Sequence, residues 1–296
     1  MTTLAHITDL HLSLHGRLRR GELAGKRAFS ALNWARKRRR THQVEVAEAL
    51  ADDLVAHQPD HVAVTGDTVN FGLAREFEAG AAWMDRLGAP NDVSFVPGNH
   101  EAILKGVEAK RDAAFARFAT GDDGVADYPW VRRRGEIALI GVSTSVSTPP
   151  FYAQGQVGAG QLAKLAEALK AAEGMCRVIL IHHPPSGPCK PRKRLLDAEA
   201  FRDVVAEHGA ELVLHGHNHK ALLSWIDTKC GRTPVVGAPS ASIGHGWRDH
   251  PAEWRLFEVD KGANGFEIVM RRRRITGSNE VEDYGQFRLT LPQPHV

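Results

Sequence analysis

The sequence predicts an α/β fold in which helices cover a central sheet, and three observations predict it. Six short apolar runs rich in β-branched residues are typical of buried strands. Stretches with helical spacing of apolar residues separate these runs, so strand and helix alternate along the chain. After Gly216 the pattern changes to short strand-like pieces, which predicts a second, mostly antiparallel sheet packed on the first.

Each element follows from its local pattern. Runs such as HVAVT and RVILI are rich in Val and Ile and too short for a helix, whereas VEVAEALADDLVAH repeats apolar residues every three or four positions. The predicted strands occupy residues 4–8, 61–65, 93–96, 137–142, 177–181 and 211–214, and the helical windows begin at Val44, Ala74, Val107, Gly160 and Asp197. The strand-rich C-terminal part, from about residue 220, contributes residues 222–226, 234–238, 255–259, 266–270 and 287–291.

Composition is that of an ordinary globular protein. The 296 residues include 38 Lys and Arg against 35 Asp and Glu, with 43% hydrophobic residues and a net charge of +3 at pH 7. These values exclude a disordered chain, a collagen and a charged tail. The length fits one large α/β domain or two average ones.

Cysteine usage and the N-terminal residues predict a cytoplasmic protein. Cys176, Cys189 and Cys230 lack the even number and close spacing of a disulfide framework or a metal knuckle, which favours a reducing compartment. The first residues contain no charged segment followed by an apolar core. No run approaches the roughly 18 apolar residues that span a bilayer, so we expect no transmembrane segment.

Positive charge is concentrated in a basic insert at about residues 13–42. Between Arg17 and Arg40 there are ten basic residues and one acidic residue, Glu22. Such a block attracts anionic partners, or it is a solvated and mobile insert. Smaller clusters at residues 132–134, 190–194 and 271–274 are predicted to be surface charge.

Metal-competent side chains follow five of the predicted strands, where open α/β sheets place their ligand sites. In strand order they are Asp9 and His11, then Asp67, then Asn99 and His100, then His182 and His183, then His217 and His219. In an extended segment residues two apart project to the same side, so Asp9 and His11 are expected to share a target, as are His217 and His219.

This donor set predicts transition-metal chemistry. Carboxylate, amide and imidazole ligands suit Mn, Fe, Zn, Co or Ni and do not suit a calcium site. The candidates exceed what one ion needs, and a carboxylate such as Asp67 can bridge two ions about 4 Å apart, the arrangement used for in-line displacement at phosphorus. A single Asp or His would be an ordinary turn or core residue, but five strand ends with ligand-type residues favour a site.

The ordered motifs resemble those of the calcineurin-like metallophosphoesterase superfamily. They are D-x-H, G-D-x-x-N, G-N-H-E, H-H-P-P and G-H-x-H, beginning at Asp9, Gly66, Gly98, His182 and Gly216. Within the superfamily the chain is most similar to the bacterial branch with class III cyclic nucleotide phosphodiesterases and glycerophosphodiesterases, whose members are often homo-oligomers.

The resemblance implies a single domain over residues 1–296, a four-layer α/β/β/α sandwich of two mixed sheets flanked by helices, and a centre of two Mn, Fe or Zn ions. By position, one ion would be held by Asp9, His11, Asp67 and His219 and the other by Asp67, Asn99, His182 and His217, with Asp67 as the bridge. A hydroxide between the ions would attack phosphorus in line with the leaving oxygen, while His100 would stabilise the phosphate or act as general acid.

The sequence leaves the roles of Glu101, His183, His215 and residues 240–242 open. The family commonly has Asp after G-N-H, where it orients the histidine; this chain has Glu101, whose longer side chain either still reaches His100 or changes the geometry on the leaving-group side. His183 is expected either to support the ligands or to pack, and His215 to lie in the core or behind the ligands. Residues 240–242 form either part of the active-site rim or an ordinary turn.

The predicted function is hydrolysis of a small phosphodiester such as a cyclic nucleotide or a glycerophosphodiester. The alternative is a peripheral membrane hydrolase of a lipid-linked diphosphate such as UDP-diacylglucosamine, because Phe29, Leu32 and Arg36 could form a short amphipathic helix on an anionic surface. A nuclease that tracks phosphates with the insert and a metal-free interaction module are further alternatives; the latter requires missing ligands, and none is missing.

Overall fold

A computed structural model describes residues 1–13, 18–23, 25–229, 231–244, 250–263 and 265–289, without the side chains of Arg20 and Lys37. Arg17, Cys230 and the end of the last predicted strand, residues 290–291, lie outside these ranges. The strands in the described ranges are β1 (Thr2–Ile7), β2 (His61–Val64), β3 (Val93–Phe95), β4 (Trp130–Arg134), β5 (Ile137–Gly141), β6 (Cys176–Leu180), β7 (Leu212–His215), β8 (Leu222–Thr228), β9 (Gly231–Gly237), β10 (Glu253–Gly262), β11 (Gly265–Ile275) and β12 (Val281–Leu289).

Helices alternate with these strands in the first two thirds of the chain. The α-helices of the described ranges are α1 (Lys26–Asn33), the single turn α2 (Arg39–Thr41), α3 (Val44–Ala56), α4 (Ala74–Met84), α5 (Glu108–Phe115), α6 (Ala159–Ala171) and α7 (Ala198–His208). A π-helical segment, Trp34–Arg38, joins α1 to α2. None of the described helices combines the length and apolar character that a membrane span requires.

The strands form two six-stranded mixed sheets. The first has the order β12-β11-β10-β1-β2-β3, with β1, β2 and β3 parallel, and the second has the order β4-β5-β6-β7-β9-β8, with β5, β6, β7 and β9 parallel. Leu4 and Phe257 of the first sheet pack with Val178 of the second in one buried cluster, so the sheets face each other.

Helices cover the outer face of each sheet. Leu50 of α3 and Phe77 of α4 pack on Phe95 of the first sheet, while Leu165 of α6 and Val205 of α7 are buried in the cluster on the second. The layers are therefore α/β/β/α, as predicted, because each sheet buries one face on the other sheet and one on helices.

The predicted separate C-terminal sheet is wrong. Strands β8 and β9 join the second sheet beside β7, and β10 to β12 extend the first sheet beside β1, where Leu4 pairs with Phe257. Pairing the C-terminal strands with the open edges of both sheets satisfies backbone groups that would otherwise be unpaired.

The prediction of surface charge at three basic clusters is also wrong in part. Arg132 lies in β4, a strand that the sequence did not predict, and its buried guanidinium donates to the carbonyl oxygens of Pro90, Thr120 and Val93. In residues 190–194, Lys193 is half-buried, while Arg272 pairs with the buried Glu253. Carbonyl and carboxylate partners satisfy these cations.

The described part of the basic insert packs over the strand ends. In the part that the structure describes, Arg27 donates to the carbonyl oxygens of Phe71 and Gly72 at 2.8 and 2.6 Å. Lys26 Nζ donates to Thr148 Oγ1 at 2.7 Å. Helix α1 and the π-helical segment therefore lie across the carboxyl ends of the strands.

Candidate metal centre

The predicted ligand residues converge in the structure. Strands β1, β2 and β3 of one sheet and β6 and β7 of the other end at the same place, as the ends of parallel strands do. The loops that follow these strands carry Asp9, His11, Asp67, Asn99, His182, His217 and His219. All are buried except His219, which is partly exposed.

The expectation that extended backbone pairs Asp9 with His11 and His217 with His219 is wrong, because these segments are not extended. The φ angles are positive at all four residues: 54° at Asp9, 42° at His11, 69° at His217 and 53° at His219. Asp67 also has a positive φ, of 54°. Left-handed backbone at residues other than glycine costs about 1–3 kcal/mol each and persists where the surroundings impose it. The tight loops, and not strand alternation, aim these side chains inward.

Two glycines allow the loops to approach. A Cβ atom on Gly98 would overlap the Asp67 carboxylate, and one on Gly216 would overlap the Asp9 carboxylate. The motif glycines are therefore required by close packing of backbone on the two carboxylates.

One group of donors gathers around Asp9. Its Oδ1 lies 3.1 Å from His219 Nε2, and His219 Nε2 lies 3.2 Å from His11 Nε2. Asp67 Oδ2 is 3.9 Å from His11 Nε2. The ligand atoms of these four residues all lie within 4.8 Å of one another, so they could hold a metal ion.

A second group lies on the other side of Asp67. The same Oδ2 atom is 3.3 Å from His182 Nε2, which is 3.3 Å from His217 Nδ1. Asn99 lines the same cavity, and its buried Oδ1 has no hydrogen-bond partner among the described residues. Asp67 Oδ2 is thus shared by both groups.

Backbone carbonyls fix the tautomers of the second group. His182 Nδ1–H donates to the Thr65 carbonyl at 2.7 Å, and His217 Nε2–H donates to the Lys193 carbonyl at 2.9 Å. The remaining nitrogens, His182 Nε2 and His217 Nδ1, face each other at 3.3 Å, so either a proton on His182 or a metal ion bound by both rings must separate their lone pairs. The donor set therefore fits a metal ion.

Electrostatics agree with this interpretation. Burial alone would raise the pKa of Asp67, but His182, His100 and His11 outweigh it and hold the pKa well below its usual range. Burial lowers the pKa of His217 well below its usual value. Burial opposes charge on His182 too, yet Asp67 and Asp9 raise its pKa to about 9. A metal ion that binds here must displace the proton of His182, so metal affinity should fall as the pH is lowered.

His100 lies beside Asp67 but is oriented differently from the prediction. Its Nδ1–H donates to the carbonyl oxygen of Asn70 at 2.7 Å, and its Nε2 accepts from Arg38 Nη1 at 2.6 Å. Burial, followed by Arg38, lowers the pKa of His100 to about 3, so the ring is neutral.

Of the two alternatives for Glu101, the structure shows the one in which it does not orient His100. Its buried carboxylate accepts from the backbone N–H groups of Asp67, Thr68, Val69 and Gly98 and from the Thr68 hydroxyl. The longer side chain therefore joins the loops after β2 and β3, while the Asn70 carbonyl takes the orienting role at His100.

The uncertain residues have supporting positions. His183 is buried, bonds to Thr144 Oγ1 at 2.7 Å and packs on the His217 ring with centroids 4.2 Å apart. His215 is buried in the core. Ser240 Oγ donates to the Asp9 carbonyl at 2.6 Å, so residues 240–242 support the Asp9 loop from behind instead of forming the rim.

Sequence reasoning missed three residues at the site. Arg38 contacts His100, and Lys193 Nζ donates to the His217 carbonyl at 3.1 Å. The ring of His42 lies 4.5 Å from that of His11, and Ser242 Oγ bonds to its Nδ1 at 2.8 Å. His42, His11 and His219 form a further group that could hold a metal ion. None of the three follows a predicted strand, so the pattern used to find the ligands could not identify them.

A cavity of about 410 Å³ opens over both donor groups. Asp67, Asn99 and His100 line its floor, while its walls come from the insert and from the loops after β5 and β6. The wall residues include Lys26, Phe29, Trp34, Arg38, Phe151, Tyr152 and Lys193. The cavity thus combines cations with aromatic rings.

Comparison of the sequence with known proteins finds a family and a relative. A sequence model of the calcineurin-like phosphoesterases matches residues 2–221. A relative from Synechococcus sp., described as a probable cyclic nucleotide phosphodiesterase, is 26% identical over 218 residues, which are 72% of this chain and 77% of the relative.

Solved structures share the fold at low identity. A purple acid phosphatase of yellow lupin, PPD1, superposes with a TM-score of 0.62 and 11% identity over 97% of this chain and 53% of its own length, so this chain spans about half of that protein. GAP50 of Plasmodium, described as the anchor in the inner membrane complex, has a TM-score of 0.57 and 12% identity over 99% of this chain and 90% of its own.

Proposed function

The chain belongs to the calcineurin-like phosphoesterase family, a family of metal-dependent phosphoric ester hydrolases, and from this membership we propose that it is a binuclear phosphodiesterase. The observation that carries the proposal is the position of Asp67 Oδ2, 3.3 Å from His182 Nε2 and 3.9 Å from His11 Nε2. A carboxylate oxygen within reach of two donor groups is what a bridged pair of ions requires.

The residues divide into two ligand sets. Asp9, His11, Asp67 and His219 would hold one ion, and Asp67, Asn99, His182 and His217 would hold the other, with Mn, Fe or Zn as the ions that suit these donors. When bound, the ions supply an activated water and positive charge for in-line displacement at phosphorus. Asp67 holds the two sets at a fixed separation.

His100 is the chain's own catalytic group in this proposal. Its ring lines the cavity floor beside Asp67, where a bound phosphate would lie. Burial and Arg38 lower the pKa of His100 to about 3, and the Nδ1–H of the neutral ring is bonded to the Asn70 carbonyl, so His100 donates to a phosphate only if substrate binding protonates its Nε2.

A small diester is the substrate class that best suits the cavity. A cavity of about 410 Å³ with aromatic walls at Phe29, Phe151 and Tyr152 has the size and character to enclose a cyclic nucleotide or a glycerophosphodiester. The Synechococcus relative supports the nucleotide as the first substrate to test.

The manganese-loaded protein should hydrolyse bis(p-nitrophenyl) phosphate with a kcat/KM at least tenfold above that for p-nitrophenyl phosphate. Both substrates release the same chromophore, so the ratio compares hydrolysis of a diester directly with hydrolysis of a monoester. Protein treated with a chelator is the control and should be inactive until Mn is restored. Preference for the monoester would make the protein a phosphatase and overturn the diester assignment.

A second candidate is a peripheral hydrolase of a lipid-linked diphosphate. The observation that favours it is the exposed apolar group of Phe29, Leu32 and Phe151 at the mouth of the cavity, beside the exposed Arg36 and Arg39. Apolar side chains next to cations suit an anionic bilayer surface. On this proposal the protein is cytoplasmic and binds at the inner membrane surface.

Vesicles containing phosphatidylglycerol should then co-sediment with the protein. A variant with Arg36→Gln, Arg39→Gln and Arg40→Gln should bind about 100-fold more weakly, because each basic residue near the surface contributes about 1 kcal/mol. The matched control changes Arg133, Lys164 and Lys170 to Gln, which are exposed cations outside the insert. Equal sedimentation of the two triple variants, or none by the wild type at low salt, would exclude this candidate.

A further inference from the structure

The π-helical segment of the insert places one arginine in the site. Segment Trp34–Arg38 ends at Arg38, and π-helical turns are frequent at functional sites. The Trp34 ring packs edge-on against Phe71 with centroids 5.9 Å apart, and Arg27 holds the Phe71 carbonyl. These contacts fix the turn above the loop that follows Asp67.

Arg38 differs from the neighbouring arginines. Arg36, Arg39 and Arg40 are exposed, whereas Arg38 is partly buried and lines the cavity together with Asp67. Its Nη1 donates to His100 Nε2 at 2.6 Å. A guanidinium has five N–H groups in a planar fork, and the bond to the His100 imidazole uses one of them. The other N–H groups remain able to bind a further acceptor.

A second cation, Lys193, lines the same cavity from the loop after β6. Lys193 lies in the short turn Pro191–Lys193, and its Nζ donates to the His217 carbonyl at 3.1 Å. Lys26 also lines the cavity, but its Nζ is bonded to Thr148 Oγ1 and to the Tyr152 carbonyl. Arg38 and Lys193 therefore extend positive charge from His100 on one side to His217 on the other.

We propose that Arg38 and Lys193 form an anion subsite that binds the non-bridging oxygens of the substrate phosphate, so that the insert closes the centre around a phosphoryl group. The proposal rests on the proposed function, because it assigns the groups that hold the substrate of that reaction. Guanidinium pairs with phosphate in a bidentate geometry, and a charged donor aimed at the reacting group strengthens as charge develops there.

The test compares Arg38→Gln with Arg133→Gln in the manganese-loaded protein. Arg38→Gln should lower kcat/KM for bis(p-nitrophenyl) phosphate about 100-fold and raise the inhibition constant of inorganic phosphate at least tenfold. Arg133→Gln, which changes an exposed arginine of β4 outside the insert, should stay within twofold of wild type in both. Arg38→Lys should be intermediate, because it keeps the charge and loses the fork.

Direct phosphate binding separates this proposal from the proposed function. Calorimetry measures the affinity of the protein for inorganic phosphate without any turnover. If the wild type is inactive, the proposed phosphodiesterase is contradicted, but the phosphate affinity can still be measured. Weaker binding in Arg38→Gln and in Lys193→Gln, at unchanged Mn content, supports the subsite. Wild-type phosphate affinity in both variants, or no binding by the wild type, would overturn it. If Arg38→Gln does not fold, the phosphate affinities of Arg38→Lys and Lys193→Gln test the subsite instead.

Discussion

Replacing Asp67 by asparagine is expected to lower kcat by at least three orders of magnitude while the fold is retained. The amide is nearly the same size as the carboxylate and keeps the oxygen that accepts from the His100 backbone N–H at 2.8 Å. It lacks the negative charge that two ions need from a bridging ligand. The measurements are turnover of bis(p-nitrophenyl) phosphate, and Mn content by elemental analysis, which should fall below two ions per chain.

The same substitution has a readout that does not depend on metal. Asp67 is the main group that raises the pKa of His182 to about 9 against the effect of burial. The pKa of His182 in metal-free Asp67→Asn should therefore fall, which NMR titration of the ring can follow. Asp203→Asn, on an exposed position of α7, is the matched control. Near-wild-type turnover in Asp67→Asn would refute the bridged centre.

Replacing Glu101 by alanine should lower the free energy of unfolding by about 3–5 kcal/mol. The side chain is fully buried and accepts from four backbone N–H groups and one hydroxyl, which would lose their partner. A buried donor left unsatisfied costs about 1–3 kcal/mol, partly recovered where water enters. Urea unfolding of the metal-free protein measures the change.

Two further variants test whether Glu101 is a structural link between loops. Glu78→Ala, an exposed residue of α4, should change stability by no more than about 0.5 kcal/mol. Glu101→Asp, the residue common in the family, is one methylene shorter and should recover only part of the loss. A small effect of Glu101→Ala on stability, with a large effect on the orientation of His100 by NMR, would contradict this role.

Local sequence patterns predicted most elements because their causes are local. HVAVT and RVILI became β2 and β6, and VEVAEALADDLVAH became α3, where Leu50 and Leu54 face the sheet. Strand β4 was missed because its arginines conceal a buried position, Arg132, whose partners are backbone carbonyls 12 to 42 residues away. Charge in a sequence indicates exposure only when no distant partner is available.

The sequence by itself determined the family motifs, the alternation of strand and helix, and the ligand-type residues that follow five strands. Only the tertiary structure decided that Asp67 Oδ2 is shared between the two donor groups, that Glu101 joins two loops, and that Arg38, unlike the described side chains of Arg36, Arg39 and Arg40, reaches His100, 62 residues away. The physical reason is that period and propensity act over a few residues, whereas these contacts depend on which chain segments pack together. Arg38 and Arg40 look alike in sequence, and a π-helical turn makes only one of them part of the site.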